Sequence, residues 1–325
     1  MRPISLPEIP YGATAARPEW ADLPAALTAA IELRLDGPVT AVTSAGGGFT
    51  RAFAAVIRTA TGRTVFVKAA AEPTSHAYAR EAAILAALPE GIPVPRLQWT
   101  TEVAGHVVLC LDAVDGTVPG LPWSPDMLDA ALRAWARTGS ALARPPGALL
   151  AVGLPTLADL IRSDLSCWSA IAGGHAPPPA AASGWAADRF ARLAALERAA
   201  PALVAGDGVL HGDLRIDNVL IDRAGAAWLC DWTWPCLGAP WFDAVTLLVS
   251  AYASGLDVDR ELDRWDPPPG GIDAALAALS GYWLVRASGP PSGASPHARQ
   301  HQRFSGEQAL AWLAERQGWP TGARR

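Results

Sequence analysis

The stretch "VLHGDLRIDNVLIDRAGAAWLCDW", residues 209–232, constrains this chain more than any other. Two short apolar runs, "NVLI" and "AAWLC", flank the turn-forming "DRAG", which predicts a β-hairpin. Asn218 lies six residues before Ala224 and Asp231 seven after it. The hairpin therefore brings both to its open end. Asp213, five residues before Asn218, falls in the loop that enters the hairpin. Two carboxylates and a carboxamide thus converge at one strand edge, an all-oxygen set. Such a set suits Mg²⁺, which takes one or two carboxylates and completes its octahedron with phosphate oxygens and water.

A second signal is Lys68 in "RTVFVKAAAE", the only lysine among 26 Lys and Arg residues. An ammonium is a compact charge with three rotatable donors, whereas guanidinium is a broad planar fork. Strand alternation points Phe66 and Lys68 to one face and Val65 and Val67 to the other. On the helix that follows, Glu81 shares a face with Tyr78, Leu85 and Leu88, which is the apolar inward face. A carboxylate there is costly unless paired, so a Lys68–Glu81 pair is preferred over a glutamate that snorkels to the helix edge. Upstream, "TSAGGGFTRAF" places Ser44, Gly46, Gly47 and Gly48 between two strands. This is either a plain hairpin turn or a flap whose backbone N–H groups close over phosphates. It is no P-loop, because Lys68 is flanked by Val67 and Ala69. It is no dinucleotide fingerprint either, because "FTRAFAAVI" reads as strand where that motif needs a helix.

The rest of the chain sets the frame. A length of 325 residues predicts about two domains. Half of the residues are apolar, and the net charge of −5 with scattered arginines argues against a nucleic-acid partner. "MRPISLPEIPYG" has no apolar signal region, and the longest apolar stretch, "AVTLLVSAYASGL", is too short for a bilayer and reads as a core helix. A cytoplasmic protein without membrane contact is expected, and its four cysteines lack zinc spacing. "EWADLPAALTAAIELRL" puts Trp20, Leu23, Leu27 and Ile31 on one helical face. Strands follow in "PVTAVTSA", "FAAVIRTA" and "RTVFVKAA", then the helix "SHAYAREAAILAALP" with Ser75 as its cap. A hairpin over 95–114 turns at Ala104–Gly105. The turn-rich "DAVDGTVPG" marks a boundary: residues 1–112 form a β-rich lobe with an extra N-terminal helix, and residues 113–325 a larger helical lobe broken by loops at "GGHAPPPAAASG", "WDPPPGG" and "GPPSGASP". The class is α+β.

These segments resemble the aminoglycoside phosphotransferase family, small-molecule kinases built on the protein-kinase fold. "HGDLRIDN" is similar to its catalytic segment and "CDW" to its metal-binding aspartate with the following aromatic. "REAAILAALPEGIPVPRL" resembles its glutamate-bearing helix and next strand, and "GAPWFDAVTLL" the segment whose aspartate, here Asp243, braces the catalytic loop. The resemblance covers roughly residues 39–250. It implies the bilobal protein-kinase-like fold and transfer of the γ-phosphate of ATP, or GTP, to a hydroxyl, with Mg²⁺ as cofactor. Arg215 stands where protein kinases have lysine, and Thr233 replaces the glycine of their Asp-Phe-Gly.

On that resemblance, Asp213 accepts the proton of the attacking hydroxyl, and Asn218 and Asp231 hold Mg²⁺. Lys68, oriented by Glu81, binds the α- and β-phosphates, and Arg215 offsets charge on the transferring group. Phe66 stacks on the nucleobase, and the backbone from Asp112 to Val114 reads its edge. His211 is structural. The acceptor is a small hydroxylated molecule, in the first instance an aminoglycoside or related antibiotic. "LDVDRELDRWD" carries Asp257, Asp259, Glu261 and Asp263, which fit either a solvated helix face or contact with a cationic substrate. A metabolite kinase of the choline or homoserine type fits the same residues. A non-catalytic nucleotide-binding module would lack the base or the metal ligands. A pyridoxal phosphate enzyme would leave the oxygen triad unexplained. Either a monomer or a homodimer is compatible with the sequence.

Overall fold

Period-two alternation gives the first sheet two unlike faces, and the lone lysine falls on the less apolar one. The computed structural model describes residues 4–183, 187–291 and 295–319. It begins with α1 (Ala25–Arg34), β1 (Val39–Ser44), β2 (Phe53–Thr59), β3 (Thr64–Ala71), α2 (Ser75–Ala87), β4 (Leu97–Val103) and β5 (His106–Asp112). The five strands form an antiparallel sheet in the order β1-β2-β3-β5-β4. The β4–β5 hairpin turns at Ala104 and Gly105, with φ of 49° and 72°. Two successive positive values make the primed turn whose twist matches the flanking strands.

One sheet face buries Phe53, Ile57, Val65, Val67, Val108 and Cys110 against Leu27 and Ile31 of α1. The opposite face packs Ala70, Val107 and Leu109 against Tyr78 and Ala82 of α2. Lys68, one residue from Val67, takes this second face, where Glu81 of α2 is also buried. Two local expectations fail: Trp20 lies in a 3-10 turn and Leu23 is extended, both ahead of α1, which starts only after Pro24, and Ser75 does not cap its helix. Ser75 is the first residue of α2, and its hydroxyl donates to Glu72 (2.7 Å), while Thr74 precedes the helix without a side-chain cap. Ser75 is already inside the helix, so its hydroxyl is not placed to accept from the amides of the first turn.

Past β5 the chain becomes mainly helical: β6 (Gly116–Thr117), α3 (Pro125–Ala141), α4 (Gly147–Leu150), α5 (Leu157–Asp164), α6 (Cys167–Ala172) and α7 (Ala187–Leu203). Then come β7 (Gly208–Leu210), β8 (Val219–Asp222), β9 (Ala227–Leu229), β10 (Cys236–Gly238), α8 (Trp241–Ala253), α9 (Val258–Leu262), α10 (Gly271–Ala287) and α11 (Ala298–Arg316). Ser124 caps α3 by accepting from Met127 N, with Pro125 at the first helical position. Helix α8 is buried along nearly its whole length, which is what its unbroken apolar run requires. Residue 184 of the first Pro-rich loop and residues 292–294 of the last lie outside the described residues. Among the described residues no helix is long and apolar enough to cross a membrane, and all four cysteines are free.

Two features position the site. The β8–β9 hairpin pairs Val219 with Leu229, and Cys230 N donates to Asn218 O (2.8 Å) at its open end. Ahead of α1, residues 5–17 run as a strap over the helical region. Ser5 N donates to Ala253 O (2.9 Å) at the end of α8, and the buried Tyr11 meets His301 of α11.

Candidate active site

The loop between β7 and β8 is fixed from below by Asp243, in the first turn of α8. Its buried carboxylate accepts from His211 N (2.7 Å) and Gly212 N (3.2 Å). Burial pushes Asp243 up to about 8 even though both amides oppose the shift. Gly212 has φ of 76°, and a Cβ there would lie 2.0 Å from Trp234 O, so only glycine fits this turn. His211 donates from Nε2 to Cys230 O (2.8 Å) and accepts Asp213 N at Nδ1 (3.3 Å). That pattern fixes a neutral tautomer, and burial lowers the ring to about 4. His211 therefore ties the loop to the β9 exit and is itself backbone support.

Asp213 follows at the end of this brace. Its Oδ1 accepts from Arg215 Nη1 (2.8 Å), and Asn218 Nδ2 donates to its backbone oxygen (2.7 Å) and to Oδ2 (3.3 Å). Burial raises Asp213 to about 7; Arg215 opposes the shift while Asp217 and Asp231 add to it. Arg215 donates from Nε and Nη2 to the two oxygens of Asp217, at 3.1 and 3.0 Å. Burial pushes Asp217 up, but Arg215 outweighs it and holds the carboxyl below its ordinary range. Sequence reasoning misses Asp217 as a site residue. The signal was available in "RID", where arginine and aspartate two residues apart in a loop can face each other.

Across the cleft, Lys68 Nζ donates to both oxygens of Glu81 (2.7 and 2.8 Å) and to Asp231 Oδ1 (3.3 Å). It also lies 5.4 Å from the Tyr78 ring centroid. Burial works against the ammonium, but Asp231 and Glu81 outweigh it and raise Lys68 above its ordinary value. Asp231, with φ of 64°, leaves β9 in a left-handed turn, and its Oδ1 takes a further bond from Thr233 Oγ1 (2.8 Å). Burial pushes Asp231 up, yet Lys68 and Thr233 bring it to about 2. The position where protein kinases carry glycine thus holds a hydroxyl that steadies Asp231. Because the nitrogen of the Asn218 amide is committed to Asp213, its oxygen is the edge left for a cation. A carboxylate and an amide oxygen fit Mg²⁺ well.

The remaining predicted residues are placed as follows. Phe66 is half-buried on β3, two residues from Lys68, and pairs in register with Leu111. Asp112 ends β5 and accepts from Gln98 Nε2 (2.9 Å), and Val114 follows, half-buried. Ser44 closes β1 and is exposed, while Gly46, Gly47 and Gly48 form the connection to β2 and lie under the strap. The Arg215 guanidinium stands over the Phe49 ring at 5.4 Å, so the tip of the glycine-rich loop reaches the loop that carries Asp213. Of the acidic residues, Asp259 pairs with Arg316 and with Trp312 Nε1, and Glu261 pairs with Arg264. Asp257 and Asp263 are exposed.

The sequence profile of the phosphotransferase enzyme family matches residues 42–271, well over half of the chain. The chain belongs to that family. It is therefore an enzyme that transfers phosphoryl groups to hydroxyls of small molecules. The phosphotransferase also shares its fold with solved structures of low sequence identity. A GDP complex of a mutant aminoglycoside 2'-phosphotransferase-IIIa is 16% identical, over 90% of this chain and 97% of that one, with a TM-score of 0.59. A thermostable mutant of aminoglycoside phosphotransferase APH(4)-Ia is 15% identical, over 90% and 98%, with a TM-score of 0.60. A putative fructosamine-3-kinase from Haemophilus somnus is 14% identical, over 88% and 97%, with a TM-score of 0.55. No curated protein matches the chain. The shared fold is the bilobal, kinase-like one that the sequence predicts, a β-rich lobe joined to a larger α-helical one.

Proposed function

We propose that this phosphotransferase moves the γ-phosphoryl group of ATP, or GTP, to a hydroxyl of an aminoglycoside or related small molecule. One observation carries the reading. Asp213, the carboxylate between Arg215 and Asn218, belongs to the same cluster of interacting charges as Asp231, whose partner is the Lys68–Glu81 pair. The acceptor oxygen bonds to the γ-phosphorus as the β–γ bridging bond breaks; its proton passes to Asp213, and the nucleoside diphosphate leaves. Asn218 and Asp231 would hold Mg²⁺, which supplies charge neutralisation for the phosphates. Lys68 binds the α- and β-phosphates, and Arg215 offsets the charge of the transferring group. Phe66 and the backbone of Asp112 to Val114 receive the base, between lobes bounded near residue 112.

Two complexes of one structural relative support the acceptor class. Structures of APH(4)-Ia include a ternary complex with ADP and hygromycin B, 14% identical with a TM-score of 0.59, and one with AMP-PNP and hygromycin B. A metabolite kinase is the second reading, and one observation favours it. Asp259 and Glu261 are already paired with Arg316 and Arg264, which leaves that face less suited to a polycation.

The test is nucleotide consumption by the purified enzyme with ATP and GTP, against panels of aminoglycosides, peptide antibiotics, macrolides, choline, homoserine and fructosamines. Acceptor-dependent release of nucleoside diphosphate, abolished by chelator and by Asp231→Ala, supports the reading. Undiminished turnover in excess chelator overturns it.

A further inference from the structure

The glycine-rich loop is held in an unusual way. Four successive carbonyls, from Ala45 to Gly48, each accept a hydrogen bond from the N-terminal strap. Arg17 Nε donates to Ala45 O (3.0 Å), Ala15 N to Gly46 O (2.8 Å), Arg17 Nη2 to Gly47 O (2.8 Å) and Thr14 Oγ1 to Gly48 O (2.9 Å). Arg17 Nη1 also reaches Ala52 O (2.7 Å) and Thr50 Oγ1 (3.2 Å). One guanidinium thus binds the loop at four points.

We propose that Arg17, assisted by Thr14, is a positioning residue for phosphoryl transfer: it sets the glycine-rich loop so that the loop's amides face the phosphates of the nucleotide. The argument is covalent geometry. These peptide bonds are trans, and a trans peptide directs the N–H of one residue opposite to the C=O of the residue before it. With the carbonyls of Ala45, Gly46, Gly47 and Gly48 turned to the strap, the amides of Gly46, Gly47, Gly48 and Phe49 turn away from it. An extended strand alternates its carbonyls; turning four to one side needs positions such as Gly48, at φ of 97°. Successive amides on one side make an anion-binding concavity. The contact is close as well, since a Cβ on Gly46 would lie 2.0 Å from Gly12 O.

The strap takes its own position from the helical lobe. Tyr11 Oη bonds His301 Nδ1 (3.0 Å), Ser295 Oγ donates to Thr14 O (2.7 Å), and Gln308 Nε2 donates to Ser5 Oγ (3.3 Å). Phe49 at the loop tip lies 5.0 Å from the His301 ring and under Arg215. The strap therefore fixes the phosphate cradle relative to Asp213 and Arg215. Arg17 lies before residue 42, ahead of the segment that the family profile matches.

This inference rests on the nucleoside triphosphate reading above, and a binding ladder separates the two. Affinities of adenosine, AMP, ADP and ATP with Mg²⁺ are measured by competition on the full chain, for the wild type and for R17A, R17K and T14V. In R17A, ADP and ATP should weaken at least tenfold while adenosine and AMP change less than twofold. R17K should fall between, because one ammonium cannot reach acceptors spread along the loop. Millimolar guanidinium should restore part of the ATP affinity of R17A and leave the wild type unchanged. T14V should show a smaller loss with the same dependence on phosphate number, and with R17K it carries the test if R17A does not fold. Equal weakening of all four ligands would assign Arg17 a general structural role and overturn the inference, as would an R17A ladder like that of the wild type. If the wild type binds none of the four, the ladder is run with guanosine, GMP, GDP and GTP; a wild type that binds neither series overturns the nucleotide reading, and this inference with it.

Discussion

Arg215 holds both oxygens of Asp217, at 3.1 and 3.0 Å, and reaches Asp213 with its remaining nitrogen at 2.8 Å. The guanidinium has a fixed end and a working end. Asp217, whose side chain is fully buried, supplies the fixed end, and a planar fork loses less freedom per bond than an ammonium does. Asp217→Asn keeps the shape but replaces one acceptor with a donor. The expected outcome is a fall in kcat of about 100-fold, the scale of a small misplacement of a catalytic group. Nucleotide affinity should change little. Steady-state kinetics beside direct nucleotide binding checks the split; equal losses in both would show that Asp217 acts on the fold alone.

Asp213→Asn removes the proposed proton acceptor and leaves its neighbours in place. Turnover should fall by about 10²–10⁴-fold, the usual contribution of a positioned base. Binding of ATP should stay near the wild-type value, since the proposed nucleotide contacts are with other groups. Turnover close to wild type at saturating acceptor would remove Asp213 from the role.

Lys68 is the only lysine in the chain, so an amine-reactive nucleotide analogue has just this side chain and the N-terminus to modify. Labelling of Lys68 should be blocked by ATP with Mg²⁺, while labelling of the N-terminus should not respond. Lys68→Arg keeps the charge, yet the wider fork does not fit between Glu81, Asp231 and two phosphates. A loss of at least about tenfold in kcat/KM is expected, roughly 1.4 kcal/mol. Mass spectrometry after labelling and kinetics of the variant test placement and chemistry separately.

The two buried histidines draw stability down on the acid side of neutrality, against the opposite pull of Asp213 and Asp243, whose burial raises them to about 7 and 8. Burial lowers His301 to about 3, with Arg215 adding to the shift and Asp217 opposing it. Tyr11 and the Phe49 ring pack on it as well. His211 is lowered to about 4. An unfolded chain protonates both rings near 6.5, whereas the folded chain keeps them neutral until well below that. Stability from these groups is thus complete above about pH 6.5 and is lost as pH falls through the window down to 4 and 3. Each ring contributes a slope of up to about 1.4 kcal/mol per pH unit. Denaturant unfolding of the wild type and of His301→Gln at pH 7 and pH 5 isolates the histidine part, because the carboxylates are common to both: relative to the wild type, the variant should hold its stability better at pH 5 than at pH 7. A variant with an unchanged pH slope would count against the neutral His301.

What could be read from the sequence was local. The "DRAG" hairpin places Asn218 beside the β9 exit because strand pairing is a matter of counting. Lys68 and Glu81 were legible because alternation and helical period each assign one inward face, and a buried carboxylate needs a partner. The acidic stretch was ambiguous because its cations are partly remote: Arg264 is three residues from Glu261, but Arg316 is 57 from Asp259. The Arg215–Asp217 fork lies in a loop, where no periodicity points to it. The strap was invisible for a stronger reason. "YGATAARPEW" has no amphipathic pattern, and its partners lie at the far end of the chain or in a loop whose glycines look like an ordinary turn.

The strap is made first and seated last. Tyr11 and His301 are 290 residues apart, and synthesis at about 5–20 residues per second puts roughly 15–60 s between them. During that interval the first sheet and its lysine can form, because their contacts lie within the first part of the chain. The glycine-rich loop cannot take its final setting, because the strap has no α11 to rest on. A nascent chain therefore carries an unfinished glycine-rich loop, and on the proposed reading the phosphotransferase becomes competent only once α11 has left the ribosome.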